Sequence, residues 1–465
     1  MRLPTPPAAT IIDTATPFDK YFSETRYQYF LAFMTTICQS EQARTITEVQ
    51  RTAPFERHYC RFWSFLFDGH WPEDEIRKTQ VDAVVELGAT TELPDGRQVI
   101  VEAIDDTLNP KPFGPKLFGV AVHHNHAAKA HQSSFVLSHN HVLHGLIPDA
   151  LSEGGARCYV TDAELFVPMD EAEESGHDSL AYETKLQLGA LMCHRHADSF
   201  EPDMVRYQLV DALYVKNPFL EAIRRDPMCH VIGRLQKNRA LFELPPPKEP
   251  GTPGRPRKYG ERWDWQAAFE AESSCCELLL YGTRRKLKVL SKRVKIRKYD
   301  DEVLVIVSQF ADDPRSKPTL FLCTDTSLDA QVALRLYAAR FSLEEAIKDL
   351  RQAAGFGTEM VRGRRQWLRY VRMFLLAQCW LRALADHQPE TVANRVRDPW
   401  RKTQERMTIG QVKQALRYES LTGNRVLARS RPARKLSKTS RRAAGSPQTT
   451  ITSTVKPPPK VRGCG

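Results

Sequence analysis

The spacing of apolar residues changes along the chain, and the change divides it into regions of different predicted structure. Between residues 19 and 95 apolar residues recur at helical spacing, and Pro72 suits the first turn of one of these helices. Residues 1–18 are rich in Pro and Thr and lack this pattern. We therefore predict a disordered N-terminus at 1–18 and a helical domain at 19–95.

Short runs of β-branched and apolar residues replace the helical pattern after residue 96. Residues 149–179 look like a long irregular stretch. The pattern predicts three strands, then a helix, a strand, a helix and a strand, over residues 97–105, 118–124, 134–142, 180–194, 206–211, 218–225 and 229–234. Taken together, these elements predict a mixed α+β or α/β unit over residues 96–235.

A Pro-rich segment, LPPPKEPGTPGRPRKYG, follows that unit and precedes strand-like runs near 285–297 and 302–310. We interpret residues 236–325 as an inserted β-rich subdomain with a basic, Pro-rich loop. Two further helical patterns then predict that residues 326–420 close the unit that the insertion interrupts.

The formal charge of +11 is concentrated at the C-terminal end of the chain. Eleven Lys or Arg and no acidic residue follow Glu419, and without them the chain holds 56 basic and 56 acidic residues. A segment of this composition cannot bury enough apolar surface to fold alone. We predict a disordered basic tail at 421–465, which either stays solvated or binds DNA phosphates without sequence preference.

Ten cysteines are scattered along the chain with no CxxC pair and no secretory signal, which is typical of a reducing compartment. No apolar run reaches the roughly 18 to 20 residues that a membrane-spanning helix needs. These patterns predict a cytoplasmic protein without disulfides, structural zinc or a membrane partner.

A group of polar side chains carries the chemistry that the sequence predicts. Helical spacing places four of them on one face of a helix: Tyr337, Arg340, Glu344 and Arg351. Two more acids, Asp106 and Asp211, end strand-like runs. Carboxylates from three separate elements suit Mg²⁺, which takes few carboxylates and keeps several waters, and bridging Mg²⁺ ions catalyse phosphodiester cleavage. The pattern therefore indicates a nuclease.

The run from Tyr337 to Arg351 resembles the signature of the insertion-sequence transposases of the DDE superfamily, Tyr-x2-Arg-x3-Glu-x6-Lys, with Arg351 in the place of Lys. The order of predicted elements is similar to the RNase H-like catalytic domain of that family, which also carries a β-rich insertion. The resemblance implies Asp106, Asp211 and Glu344 as catalytic acids and metal ligands. It implies Mg²⁺ as cofactor, with Mn²⁺ as a substitute, and Tyr337, Arg340 and Arg351 as DNA-binding residues.

Asp105 competes with Asp106 for the first catalytic position. Neighbouring side chains on a strand point to opposite faces, so only one of the two can meet the metal. The family pattern places the catalytic Asp directly before Thr or Ser, and Thr107 follows Asp106. We choose Asp106 on that ground.

Basic residues outside the signature add candidate DNA contacts. Arg234 closes the strand-like run VIGRL and matches a basic position that follows the second Asp in the family, although a surface charge at a strand end explains it equally well. The segment GRPRKYG resembles the core of an AT-hook, which inserts arginines into a narrow minor groove. Its candidates are Arg255, Arg257 and Lys258, and a stiff basic linker is the alternative.

Seven histidines crowd residues 123–144, a density that raises the question of a zinc site. No Cys or Glu lies beside them at the ligand spacing of a motif such as HExxH, and strand alternation divides their rings between two faces. We favour local hydrogen bonding or DNA contact, with metal binding as the alternative.

The resemblance predicts a bacterial, nucleoid-associated transposase with double-stranded DNA as its partner. It would bind terminal inverted repeats as a homodimer in a synaptic complex, with the helical domain at 19–95 as a DNA-binding domain. It would then cleave the element ends and join them to target DNA. The alternative is a domesticated or decayed transposase that binds DNA without cutting it. Metal-dependent nicking of element ends separates the two hypotheses.

Overall fold

The structure is a computed structural model that describes residues 6–40, 45–125, 128, 130–131, 133–168, 183–248, 255–395, 400 and 406–427. The predicted basic tail lies outside the described residues from 428 onwards, and so does Gly254 of the AT-hook-like segment. Within the described residues, no helix is both long enough and apolar enough to cross a membrane.

The N-terminal region is helical, as the apolar spacing predicts. Thr45 caps one of its helices by accepting a hydrogen bond from the backbone N–H of Glu48, and Pro72 precedes the first turn of another. The elements are α1 (Ala9–Ala15), a 3₁₀ turn (Thr16–Tyr21), α2 (Glu24–Gln39), α3 (Ile46–Thr52), α4 (Tyr59–Phe67) and α5 (Glu73–Glu86).

The prediction of disorder at 1–18 is wrong for residues 9–18. Ile11 and Phe18 are buried, and the Phe18 ring lies 5.8 Å from that of Phe30 and 5.9 Å from that of Trp380. Two apolar side chains in a segment rich in Pro and Thr are enough to attach it to the core, because each removes a large apolar area from water.

Twelve strands run through the described residues. They are β1 (Thr90–Glu92), β2 (Gln98–Pro110), β3 (Ala121–His124), β4 (Phe135–Leu146), β5 (Tyr159–Phe166), β6 (Arg206–Val210), β7 (Cys229–Leu235), β8 (Leu241–Phe242), β9 (Ser274–Leu280), β10 (Thr283–Ile296), β11 (Val303–Phe310) and β12 (Thr319–Cys323). The irregular stretch predicted at 149–179 contains β5, so that prediction is wrong for residues 159–166.

The strands form one sheet in the order β3-β4-β2-β6-β7-β12-β11-β10-β8, with β1, β5 and β9 paired beside this path. Strand β2 is antiparallel to β4 and parallel to β6, and β6 is parallel to β7. The region predicted as an inserted subdomain, 236–325, continues this sheet, because β12 pairs antiparallel with β7. The RNase H-like assignment stays a prediction, and the mixed α/β class is confirmed.

Helices cover both faces of the sheet. Those that follow the N-terminal region are α6 (Lys185–Ala197), α7 (Asn217–Ile223), α8 (Trp265–Glu272), α9 (Ala330–Ala339), α10 (Phe341–Asp349), α11 (Arg364–Asp386), α12 (Glu390–Arg395) and α13 (Ile409–Thr422). A single π-helical turn, Leu350–Ala354, continues α10.

Two apolar cores lie on opposite faces of the sheet near the end of β2. Val101 and Ala103 of β2 share one core with Leu209 of β6 and with helices α9, α10 and α11. Ile104 of β2 shares the other core with Val210 and with helices α6 and α7. Alternate side chains of β2 therefore contact different helical layers, one on each face of the sheet.

The segment 421–427, predicted as the start of a disordered tail, packs against the domain instead. The carboxylate of Glu419 accepts hydrogen bonds from the backbone N–H groups of Val426 and Leu427 at 2.8 Å and from the Thr10 hydroxyl at 2.7 Å. Leu427 is buried. The prediction of a disordered tail at 421–465 is therefore wrong for residues 421–427, because Glu419 satisfies their backbone groups.

Candidate active site

The ends of β2 and β6 bring two carboxylates to the same face of the sheet. These strands run parallel with Ile104 beside Val210, so the next residues on each strand, Asp105 and Asp211, project to the opposite face, where α9 and α10 lie. Their proximity is also visible in the electrostatics, because the charge of Asp211 contributes to raising the pKa of Asp105.

Glu344 reaches the same place from the helical layer. Helix α9 ends at Ala339 and α10 begins at Phe341, so Arg340 occupies the junction between them. The Arg340 guanidinium donates to Asp105 Oδ2 at 2.8 Å through Nη1 and to Glu344 Oε1 at 2.7 Å through Nη2. One arginine thus joins an acid of the strand to an acid of the helix. We call Asp105, Asp211 and Glu344 the acid cluster.

Asp106, the first acid predicted from the sequence, faces the other layer. Its Oδ2 lies 2.5 Å from Nζ of Lys185, which begins α6, and the Lys185 ammonium also lies 5.6 Å from the Phe166 ring centroid. His123 lies near this pair, and burial lowers the pKa of that histidine to about 4, with the Lys185 charge acting in the same direction. The structure therefore brings Asp105, and not Asp106, together with Glu344.

Burial decides the electrostatics of Asp105. Loss of hydration raises the pKa of this carboxyl to about 6 against the opposing charge of Arg340, and the charges of Asp106 and Asp211 add to the rise. The same surroundings raise the pKa of Arg340, because the neighbouring carboxylates outweigh its own burial. A cation bound beside Asp105 would reduce the repulsion between its carboxylate and those of Asp106 and Asp211.

The donor set of the acid cluster fits Mg²⁺ or Mn²⁺. It consists of carboxylate oxygens only, which hard divalent ions prefer. The position of Arg340 supports this fit directly, since a cationic group already lies within hydrogen-bonding distance of both Asp105 and Glu344. Among the described residues, however, only two histidine-containing groups bring three ligand atoms within 4.8 Å of one another, so Asp105, Asp211 and Glu344 would have to move closer together to hold one ion.

Tyr337 and Arg234 line a cavity beside the acid cluster. Its volume is about 280 Å³, and its wall includes Tyr281, Arg234, Tyr337 and Arg340. The Tyr337 ring packs 4.8 Å from that of Phe321, and burial raises the pKa of its hydroxyl. Arg234 is exposed at the end of β7. Both predicted DNA-binding residues therefore lie next to the acids.

Arg351 lies in the π-helical turn and holds the end of β2. Its guanidinium donates to Asn109 Oδ1 at 2.9 Å, to the carbonyl of Leu108 at 2.6 Å and to the hydroxyl of Thr107. Burial lowers the pKa of this arginine. All three contacts are within the protein, so in this structure Arg351 acts on the strand that carries Asp105.

The AT-hook-like residues are exposed and separate from this cluster. Arg255, Arg257 and Lys258 precede the Phe242–Arg262 bridge, and the Lys258 ammonium lies 3.2 Å from Asp300. No contact between described residues joins them to the acid cluster.

The histidine-rich segment contributes to two buried polar networks. The first surrounds Glu359, whose Oε1 lies 3.3 Å from His139 Nδ1 and 3.4 Å from Lys111 Nζ, with His141 beside them. The second surrounds Glu102, which pairs with His196 at 3.3 Å and Arg206 at 3.3 Å and lies 3.6 Å from His144.

Both networks bring three possible ligand atoms within 4.8 Å of one another. The hydrogen bonds of these side chains decide whether a metal ion could take their place. The Asn109 amide has its oxygen directed to Arg351, which leaves its NH₂ facing Nδ1 of His141 at 3.2 Å. His141 Nδ1 is then an acceptor and Nε2 carries the proton, which removes the lone pair that a metal needs. Glu102 is already neutralised by Arg206 and accepts from Gln208. These hydrogen bonds argue against a metal at Glu102. At Glu359 metal binding stays the alternative, because Glu359 Oε1, His139 Nδ1 and His141 Nε2 are buried without a hydrogen-bond partner among the described residues.

Sequence reasoning missed two residues at this site. Lys185 has no local signal, because it meets Asp106 only through the packing of α6 on the sheet. Tyr281 does have a local signal, because a two-residue turn that ends in Gly between strand-like runs is typical of a hairpin. In the structure Tyr281 and Gly282 form this turn, with positive φ of 53° and 73°.

A comparison with curated proteins found no match. A comparison with protein families found one over residues 17–289, described as DDE superfamily endonuclease. The matched region is more than half of the chain and includes Asp105, Asp106 and Asp211, and it ends before the helix of Glu344. The chain belongs to the DDE superfamily endonuclease family.

Proposed function

We propose that this protein is a DNA transposase that uses the acid cluster to cleave DNA at the ends of a mobile element and to join those ends to target DNA. The observation that carries the proposal is the pairing of Arg340 with both Asp105 and Glu344, beside the parallel strand that leads to Asp211, within a chain of this family. Element ends with inverted repeats are the proposed substrate, and a homodimer is the proposed active assembly.

Bound Mg²⁺ would supply the nucleophilic hydroxide and the charge stabilisation that phosphodiester cleavage requires. Asp105 and Asp211 hold such an ion from the sheet, and Glu344 holds it from the helical layer. Water reaches the site from the side of Glu344, whose side chain is 44% exposed. Substrate binds over this open side, because the opposite side of the acids is the core of the sheet.

Arg340 has a second role in this proposal. Its guanidinium holds Asp105 and Glu344, and the same group could contact a phosphate oxygen of bound DNA. Arg234, Tyr337 and the adjoining cavity then contact the DNA end beside the scissile phosphate. Arg351 keeps the end of β2, and hence Asp105, in register with the helix.

Asp105 takes the role that the Asp-Thr pattern assigned to Asp106. The pattern selects Asp106 because it directly precedes Thr107. In the structure Asp105 forms an ion pair with Arg340, and Asp106 forms one with Lys185 on the other face of the sheet. We propose that Asp106 orients the α6 layer and does not contact the metal. This reverses the choice between the two neighbours and keeps Asp211 and Glu344 as predicted.

The test compares Asp105→Asn with Asp106→Asn in a nicking assay on DNA that carries the element ends, with Mg²⁺ or Mn²⁺. We expect Asp105→Asn to stop cleavage and to leave end binding intact, and Asp106→Asn to retain activity. An inactive Asp106→Asn with an active Asp105→Asn restores the assignment from the Asp-Thr pattern. A wild-type protein that binds ends without any metal-dependent nicking supports the non-catalytic alternative.

A further inference from the structure

The outer face of one hairpin carries a row of cations that the acid cluster does not use. Strands β9 and β10 form this hairpin, with Leu280 paired to Thr283 across the turn. Leu278, Leu280, Leu287 and Val289 are buried on its inner face, in the core that contains α9. Because side chains alternate along a strand, the intervening residues of β10 point outward.

Those outward residues are Arg284, Lys286 and Lys288, and all three are exposed. Only Arg284 has an acidic partner in the described part of the chain, Glu277 at 3.8 Å, in a pair whose side chains are 73% and 49% exposed. Lys286 lies opposite Glu277 in the register, and Lys288 lies opposite Cys275. The row therefore has more positive charge than the protein itself neutralises.

The hairpin points its turn at the acid cluster. The Tyr281 ring at the turn lies 6.1 Å from that of Phe341, the residue after Arg340, and Tyr281 shares the cavity wall with Arg234, Tyr337 and Arg340. Arg284 follows the turn by two residues. The row of cations thus starts beside the acids and leads away from them along β10.

We propose that Arg284, Lys286 and Lys288 bind the phosphate backbone of duplex DNA and guide it to the acid cluster. Alternate residues of a strand are about 6.6 Å apart, so the three cations extend over about 13 Å. One DNA strand carries a phosphate about every 3.4 Å along the helix axis, so a row of this length faces about four phosphates. The proposal rests on the proposed function, since it supplies a path for the DNA that the acids cut.

The other face of the same strand provides a matched control. Arg285 lies on the opposite face of β10 from the three cations and pairs with Asp312 at 2.9 Å. Arg293 lies on the same face as Arg285 by strand alternation and is exposed near the far end of β10. The double variant Arg285→Gln/Arg293→Gln removes the same charge from the same strand as Lys286→Gln/Lys288→Gln. Only the second pair lies in the proposed DNA path.

The experiment measures binding of the full chain to a labelled duplex of arbitrary sequence in EDTA, between roughly 50 and 200 mM salt. Each phosphate contact contributes about 0.9 to the slope of log affinity against log salt, so Lys286→Gln/Lys288→Gln should flatten that slope by about 1.8. The Arg285→Gln/Arg293→Gln and Lys286→Arg/Lys288→Arg variants should keep the wild-type slope. Circular dichroism and thermal unfolding confirm that each variant is folded.

An unchanged slope in folded Lys286→Gln/Lys288→Gln overturns the proposal, and so does an equal flattening in the Arg285→Gln/Arg293→Gln control. A change of oligomeric state without a change of slope also overturns it and identifies the row as a protein contact. The binding measurement uses EDTA and does not depend on cleavage. A protein that fails to cleave DNA can therefore still support or contradict the proposed role of the three cations.

Discussion

The acid cluster and the Glu359 network differ in the balance of charge around their carboxylates. The Glu359 network consists of Lys111, His139, His141 and Glu359. At Glu359 one carboxylate faces an ammonium and two imidazoles, and all four side chains are buried. At the acid cluster Arg340 pairs with Asp105 and Glu344, and Glu344 is partly exposed. The Glu359 network is closed to solvent, although Glu359 Oε1, His139 Nδ1 and His141 Nε2 have no hydrogen-bond partner among the described residues, whereas the acid cluster is open to solvent at Glu344.

The pKa values separate the two clusters in the same way. Burial favours the neutral form of Glu359, but the neighbouring His139 and Lys111 outweigh it and lower the pKa of Glu359 to about 2. At Asp105 burial prevails over Arg340 and raises the pKa to about 6. An acid whose pKa is raised by burial beside an open site is a candidate functional group, whereas the depressed pKa of Glu359 reflects the buried cationic groups beside it.

The largest effect should come from removing charge in the acid cluster. We expect Asp211→Asn and Glu344→Gln to slow cleavage by about a thousandfold or more, since metal stabilisation of the transition state amounts to several kcal/mol. Denaturant unfolding in EDTA should show little loss of stability, because Asp211 adds repulsion at Asp105 and the partly exposed pair of Glu344 with Arg340 contributes less than about 1 kcal/mol. A variant that unfolds more easily and still cleaves DNA contradicts the comparison.

Glu359→Gln should behave in the opposite way. Removing one partner of a buried ion pair leaves Lys111 unpaired, and we expect the free energy of unfolding to fall by about 3 to 5 kcal/mol. The exposed Glu86→Gln is the control and should change stability by less than about 0.5 kcal/mol. Equal stability of the two variants in denaturant titrations shows that the network is not structural.

The pH dependence of stability should have opposite signs at the two sites. The folded-state pKa of Asp105 lies above its ordinary value of 3.8, so its contribution is present below about pH 4 and is lost as the pH rises through about 6. In EDTA the wild type should therefore gain on the order of 2 kcal/mol relative to Asp105→Asn as the pH falls from 7 to about 4.

Glu359 has a depressed pKa, so its contribution is present above the ordinary value of 4.5 and is lost as the pH falls toward about 2. Unfolding titrations of wild type, Asp105→Asn and Glu359→Gln across this range measure both signs. A flat difference between wild type and Asp105→Asn from pH 4 to 7 contradicts the raised pKa.

The smallest effect concerns Arg351→Lys. An ammonium cannot donate to Thr107, Leu108 and Asn109 with the geometry of the guanidinium, and losing one such bond costs about 1 kcal/mol. We expect cleavage to fall about fivefold, with unchanged salt dependence of DNA binding. A flatter salt slope in this variant shows that Arg351 contacts a phosphate, as the sequence predicts.

The sequence predicted those parts of the site that depend on local patterns. Apolar runs predicted β2, β4, β6 and β7, and helical spacing placed Arg340 and Glu344 near each other. The proposed choice of Asp105 over Asp106 does not follow from such local patterns and stays a proposal. It depends on the register of β2 against β6, which lies about a hundred residues away in sequence and leaves no local trace.

Other differences have the same origin. Strand β5 pairs with β4 across a bulge between His144 and Gly145, and its short run inside an irregular stretch was not distinctive. The contacts of Arg351 depend on the π-helical turn, which shifts this residue relative to a regular helix. In each case a tertiary neighbour, and not the intrinsic preference of the segment, decides the outcome.

The pairing of β12 with β7 has a consequence for the order of folding during synthesis. Asp105 and Asp211 leave the ribosome long before Arg340 and Glu344, and the sheet that positions the helix is complete only after β8 to β12 have been added. Nascent chains therefore carry two of the three acids without the third. The proposed site is therefore complete only after helix α10 has been translated, so an unfinished chain would not cut DNA.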